Sequence, residues 1–211
     1  MSAWWIAIAF FDGLSGPRAP FCVPRTTTSL TVKSSTASGV AGSSFMSGNA
    51  FQVRPKRRWI SLRPVVGASD VEQWAKGGSL NATMLPLVQD LTTRYRVTHV
   101  LWHQGESDFA LKTDPLRYKA LFLSFVETLR ANSVDAPVFV SKATRCGPAW
   151  TESNAIESAQ QELASSEPGL KAGVDTDELL EAQDRYDDCH FAESGEVKAA
   201  TAWAAILAQR P

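Results

Sequence analysis

The sequence predicts a three-layer α/β/α domain on a mostly parallel sheet, and two observations carry that prediction. From residue 59 onward, short Val-, Ile- and Leu-rich runs alternate with segments of helical periodicity. Strands separated by helices of this length pair in parallel, with right-handed crossovers that place helices on both faces. At 211 residues and 44% hydrophobic, the chain can fill one core without needing two, so a single domain over residues 1–211 is expected.

The apolar start, Met1 to Phe11, reads as a buried first strand. It has no basic leader or small-residue cleavage site and is too short to span a bilayer, which makes a cytoplasmic location the default expectation. Residues 12–50 are rich in Ser, Thr, Gly and Pro and lack periodicity, so they read as a long irregular excursion. Regularity begins at Trp59 to Val66, a strand, and continues with Ala82 to Tyr95 as a helix and Val97 to Trp102 as a second buried strand.

Pro115 to Asn132 reads as a helix because Leu116, Leu121, Phe122, Phe125, Val126 and Leu129 recur at helical spacing behind an N-terminal proline. Ala136 to Ser141 follows as a strand, Glu152 to Ser165 as a helix, Leu170 to Val174 as the last strand and Phe191 to Ala208 as the closing helix.

A formal charge of -1 supplies no global field toward nucleic acid or an anionic membrane. The lone basic run, Arg54-Pro55-Lys56-Arg57-Arg58, reads as a solvated face without a nucleic-acid reading motif. The expected partner is a small molecule. Cys22, Cys146 and Cys189 cannot all pair within one chain and match no zinc spacing; a Cys146 to Cys189 disulfide and buried free thiols both stay open.

The chemistry concentrates at two strand ends and one turn. Trp102-His103-Gln104-Gly105-Glu106-Ser107-Asp108 follows a buried strand, and such polar carboxyl edges are where α/β proteins bind ligands. The turn after Val66, Gly67-Ala68-Ser69-Asp70, has small residues that let a backbone amide approach a substrate closely, as an oxyanion donor must. In Tyr186-Asp187-Asp188-Cys189-His190, a carboxylate three residues before a histidine can bond one ring nitrogen and leave the other to take a proton. A metal site of His99, His103 and Glu106 is excluded, because strand residues four apart lie about 13 Å from each other.

Taken in chain order, these segments resemble the SGNH hydrolase superfamily, and within it the carbohydrate esterases that include sialate O-acetylesterase-like and acetylxylan esterase-like proteins. His103-Gln104-Gly105-Glu106 matches the His-Gln-Gly-Glu block and Asp187 to His190 the terminal Asp-x-x-His block, while Gly67-Ala68 matches the Gly-Gly block with alanine second. The resemblance covers about residues 59–208 and implies the SGNH hydrolase fold, a flavodoxin-like sheet. It also implies His190 as general base, Asp187 as its orienting carboxylate, and the Gly67 amide with the Gln104 side chain as oxyanion donors.

The nucleophile block departs from the pattern, since Gly-Gln-Ser-Asn occurs nowhere. Ser15, in Asp12-Gly13-Leu14-Ser15-Gly16 after the first strand, holds the expected place and is the candidate nucleophile. Ser43 and Ser44, in a glycine-rich loop, are read as lining the substrate pocket or as structural. Glu106 is assigned to holding neighbouring loops or to a sugar hydroxyl, Asp108 has no role, and Trp74 and Trp102 belong to the core.

The resemblance thus implies a serine esterase that removes short acyl groups, acetyl above all, from a carbohydrate ester, without metal or organic cofactor. Two other functions fit the same residues: a catalytically silent domain that binds glycans or protein, and a lipase for longer acyl chains. The sequence leaves the oligomeric state open.

Overall fold

The computed structural model describes residues 66–208 with their side chains and, ahead of them, the backbone of three strands. The elements in chain order are β1 (Trp5–Phe11), β2 (Leu30–Ser34), β3 (Trp59–Pro64), α1 (Val71–Trp74), α2 (Ser79–Thr92), β4 (Arg96–His103), α3 (Glu106–Leu111), α4 (Pro115–Ala131), β5 (Val138–Lys142), α5 (Ala155–Ser166), β6 (Leu170–Asp175), α6 (Thr176–Leu179) and α7 (Glu193–Ala208). One sheet runs β2-β3-β1-β4-β5-β6.

The sheet is parallel only in its second half. β4 pairs with β5, and β5 with β6, in parallel, each pair being joined through helices, α3 with α4 and then α5. β1 lies antiparallel to both β3 and β4, and β2 antiparallel to β3, which corrects the expected mostly parallel sheet to a mixed one. The parallel rule depends on a crossover helix between strands, and the sequence from residue 12 to residue 58 carries no helical periodicity to supply one. β2 also falls within the stretch read as irregular: its five residues, Leu-Thr-Val-Lys-Ser, alternate apolar and polar but are too few to stand out among the surrounding Ser and Thr.

Three layers follow from how β4 and β5 divide their side chains. Val100 and Trp102 of β4, with Val138 and Val140 of β5, face a large apolar cluster completed by Trp74 of α1, Met84 and Val88 of α2, Phe122, Phe125 and Leu129 of α4, and Ile156 and Leu163 of α5. Their alternates, Leu101 and Phe139, face the opposite side, where Trp203 of α7 and Val174 close a smaller cluster. A strand buried on both faces reads as a continuous apolar run, which is why the sequence located β4 and β5 well.

Helix ends follow their caps more closely than their apolar periodicity. Asp114 caps α4 by accepting from the Arg117 amide, with Pro115 in the first turn, as the sequence suggests. Asn154 accepts from the Ile156 and Glu157 amides, so α5 starts at Ala155 rather than Glu152. Asp70 and Gln73 form a reciprocal capping box on α1 directly after the Gly67 turn.

Candidate active site

The parallel half of the sheet brings three loop segments to one edge. Beyond the carboxyl ends of β4, β5 and β6 lie residues 104–108, 143–154 and 176–192, the edge at which open α/β sheets form their sites. The His103 ring packs edge-on against Phe191, ring centres 5.5 Å apart, so the His-Gln-Gly-Glu segment meets the Asp187 to His190 turn.

Asp187 organises that turn with both carboxylate oxygens. Oδ1 accepts from the backbone amides of Cys189 (3.2 Å) and His190 (2.7 Å), while Oδ2 lies 2.6 Å from His190 Nδ1. Burial raises the Asp187 pKa, but the hydrogen bonds from His190 and Cys189 outweigh it and hold the carboxyl below its usual range. With a carboxylate accepting at Nδ1, the neutral ring carries its proton there and its lone pair on Nε2. The three-residue spacing forms the pair because the chain reverses between the two residues, with Asp188 at a φ of 60°.

The turn is fastened to neighbouring loops in three ways. A disulfide joins Cys189 to Cys146 in the segment after β5, which decides the pairing the sequence left open. Beside it, the Gly147 amide donates to the Asp188 carbonyl at 3.1 Å. Arg185 is buried, and its guanidinium donates to the carbonyls of Cys189 (2.6 Å), Thr176 (3.0 Å) and Arg145 (3.3 Å), tying the turn to the loops after β5 and β6.

Asp177 balances the buried guanidinium, its Oδ1 lying 3.9 Å from Arg185 Nη2. It also accepts from the Thr144 amide and hydroxyl, each at 2.7 Å, and from the Arg145 amide at 2.9 Å. Burial pushes its pKa up, while these donors pull it back.

Gln104 is 1% exposed and both hydrogens of its amide are engaged. Nε2 donates to the Ser69 carbonyl at 3.0 Å and to Asp108 Oδ2 at 2.5 Å, and Asp108 Oδ2 also accepts from the Val71 amide at 2.9 Å. In this geometry both hydrogens of the Gln104 amide, the group expected to serve as an oxyanion donor, are directed at the Ser69 carbonyl and at Asp108. Gln104 and Asp108 hold the segment from Ser69 to Val71 against the end of β4, which gives Asp108 the role the sequence could not. Gly67, two residues before Ser69, is exposed, with no atom of the described residues within 4 Å of where a Cβ would stand.

Gly105 is required by close approach, because a Cβ there would lie 2.3 Å from Gln160 Nε2 and 2.5 Å from the Ala143 carbonyl oxygen. Gln160 uses that proximity to donate to the Gln104 carbonyl at 2.8 Å and to accept from the Ala143 amide at 3.0 Å. The Tyr118 hydroxyl also donates to the Gln104 carbonyl, at 3.2 Å.

Glu106, expected to hold neighbouring loops or to meet a sugar hydroxyl, is 2% exposed. Its Oε1 lies 3.6 Å from His103 Nε2, yet the two do not form an ion pair. Burial raises the Glu106 pKa well above its ordinary value, and burial, reinforced by Arg185, lowers that of His103 to about 3. His103 is thus a neutral buried ring with no part as a base.

Trp74 and Trp102 lie in the core, as expected. Ser15, Ser43 and Ser44 lie outside the described residues. Among the described residues, no group of three or more His, Cys, Asp or Glu side chains is placed to hold a metal ion, and no helix is long and apolar enough to cross a membrane. The sequence missed Arg185, Asp177 and Gln160, whose partners are backbone groups or side chains mostly remote in the chain; for Asp108, four residues after Gln104 at the start of a helix, spacing did offer a signal.

An imidazole bonded to a carboxylate thus stands at the carboxyl edge of the parallel half of the sheet. A family model described as carbohydrate esterase, sialic acid-specific acetylesterase, matches residues 23–209, and the chain belongs to that family. No curated protein and no solved structure matches the chain.

Proposed function

We propose that the protein is a serine esterase that removes acetyl groups from a carbohydrate ester through an acyl-enzyme. The observation that carries this reading is the Asp187–His190 pair, 2.6 Å between Oδ2 and Nδ1, on a partly exposed turn at the sheet edge. His190 Nε2 takes the hydroxyl proton as the serine oxygen attacks the acetyl carbonyl, and Asp187 holds the ring and stabilises the imidazolium that forms. The same ring returns the proton to the departing sugar oxygen, then activates a water that releases acetate. The exposed Gly67 amide is the oxyanion donor in this scheme, and Ser15 the nucleophile.

Family membership supports the acetyl and carbohydrate parts of the proposal. The Cys146–Cys189 bond favours an oxidising compartment over the cytoplasmic default, because structural disulfides persist in such compartments.

The test is hydrolysis of p-nitrophenyl acetate and p-nitrophenyl decanoate by the wild type and by Ser15→Ala, Asp187→Asn and His190→Ala. Acetate turnover should fall about 10⁴-fold in Asp187→Asn and on the order of 10⁶-fold in His190→Ala, as in other serine triads. Equal rates in all forms would refute the enzyme reading, retention in Ser15→Ala alone would move the nucleophile, and a preference for decanoate would refute the acetyl assignment.

A further inference from the structure

We infer that Tyr186 is a positioning residue for His190, fixing the tilt of the imidazole by stacking, offset, against it. The inference rests on the proposed role of His190 as general base and adds a second constraint to the one from Asp187.

The geometry begins with the backbone. Arg185 and Phe191 form a single antiparallel bridge, and the Tyr186 amide donates to the His190 carbonyl at 3.0 Å, so residues 186 and 190 face each other across the turn. Their rings stack, with centres 5.6 Å apart and planes inclined by 14°. Tyr186 remains 56% exposed, so this large ring is not there to fill the core.

Asp187 alone does not define the ring's orientation. Its bond to Nδ1 lies along an edge of the imidazole, and the second side-chain torsion of histidine is broad, so the ring can tilt about that contact. A tilt leaves Nδ1 near its partner and swings Nε2, the atom that must meet the serine proton. The stacked phenol ring opposes that motion. A displacement of about 1 Å at a reacting atom costs on the order of 10²-fold in rate, and a partial loss of constraint a fraction of that. The electron-rich face also suits the imidazolium that forms during acyl transfer.

The experiment measures kcat and KM for p-nitrophenyl acetate in the wild type, Tyr186→Phe, Tyr186→Trp, Tyr186→Leu and His190→Ala, with Tm recorded for each. Tyr186→Phe and Tyr186→Trp keep a flat face and should retain kcat within about threefold, whereas Tyr186→Leu should lose about tenfold in kcat with KM within twofold. The inference is overturned if Tyr186→Leu keeps wild-type kcat, if its loss falls on KM, or if Tyr186→Phe and Tyr186→Trp fall as far as Tyr186→Leu. Low activity in His190→Ala with an unaffected Tyr186→Leu would sink this inference alone, while wild-type activity in His190→Ala would sink the esterase reading with it.

Discussion

Breaking the Cys146–Cys189 bond should cost more stability than activity. The bond closes a loop with a sequence separation of 43 residues, and the chain-entropy relation for a loop of that length gives about 4 kcal/mol at 25 °C. For 211 residues, each kcal/mol corresponds to roughly 2–4 °C in Tm, so reduction should lower Tm by about 8–16 °C. The His190 turn does not depend on the bond alone, because the Gly147 amide and the Arg185 guanidinium still hold it. Esterase kcat should therefore fall by less than about tenfold in reduced protein that remains folded. The assay is urea unfolding followed by tryptophan fluorescence, for oxidised protein, reduced protein and Cys146→Ala/Cys189→Ala. A difference below about 1 kcal/mol between oxidised and reduced protein would refute the entropic argument, since the unfolded loop would then already be constrained. A response to reductant in the double variant would refute the assignment of the effect to this pair.

Three further outcomes follow from single positions. Ala68 has a φ of 55°, where alanine is strained by about 1–2 kcal/mol and glycine is not, so Ala68→Gly should stabilise by up to about 1 kcal/mol after the entropy of the freer unfolded chain; an unchanged or lower Tm would count against it. Gly105→Ala drives a Cβ into Gln160 and the Ala143 carbonyl and should destabilise by about 2 kcal/mol or more, read by urea unfolding, with a neutral result contradicting the packing. His103 has its pKa lowered to about 3, so below pH 6.5 the unfolded chain binds a proton that the folded chain refuses. Stability then falls as pH drops from about 6.5 to 3, by up to about 1.4 kcal/mol per pH unit from this group, and His103→Gln should remove that contribution from the measured slope.

The parts of this protein that were legible in its sequence are those written in local spacing. Asp187 and His190 stand three residues apart and were found as a pair because one turn suffices to join them. β4 and β5 were found because burial on both faces leaves an unbroken apolar run. Gln104 stands out in the sequence, but its contacts do not: one of its acceptors, the Ser69 carbonyl, lies 35 residues away, and backbone carbonyls leave no mark in a sequence. Arg185 escaped for the same reason, with donors directed to main-chain oxygens in separate loops. The antiparallel pairing of β1, β2 and β3 was not legible, because the alternation of strand and helix begins with β3 and says nothing of how the strands before it pair.

That Arg185 grips main-chain oxygens has a consequence for how the active-site rim can vary. A carbonyl offers the same acceptor whatever side chain stands beside it, so the clamp is indifferent to the identities at positions 145 and 176 as long as the backbone path is kept. The surrounding loops can therefore be rewritten while the Asp187–His190 turn stays where it is. A library randomised at exposed rim positions, with Arg185 and Asp177 held constant, would start from a scaffold whose Asp187–His190 geometry is already insulated from those changes.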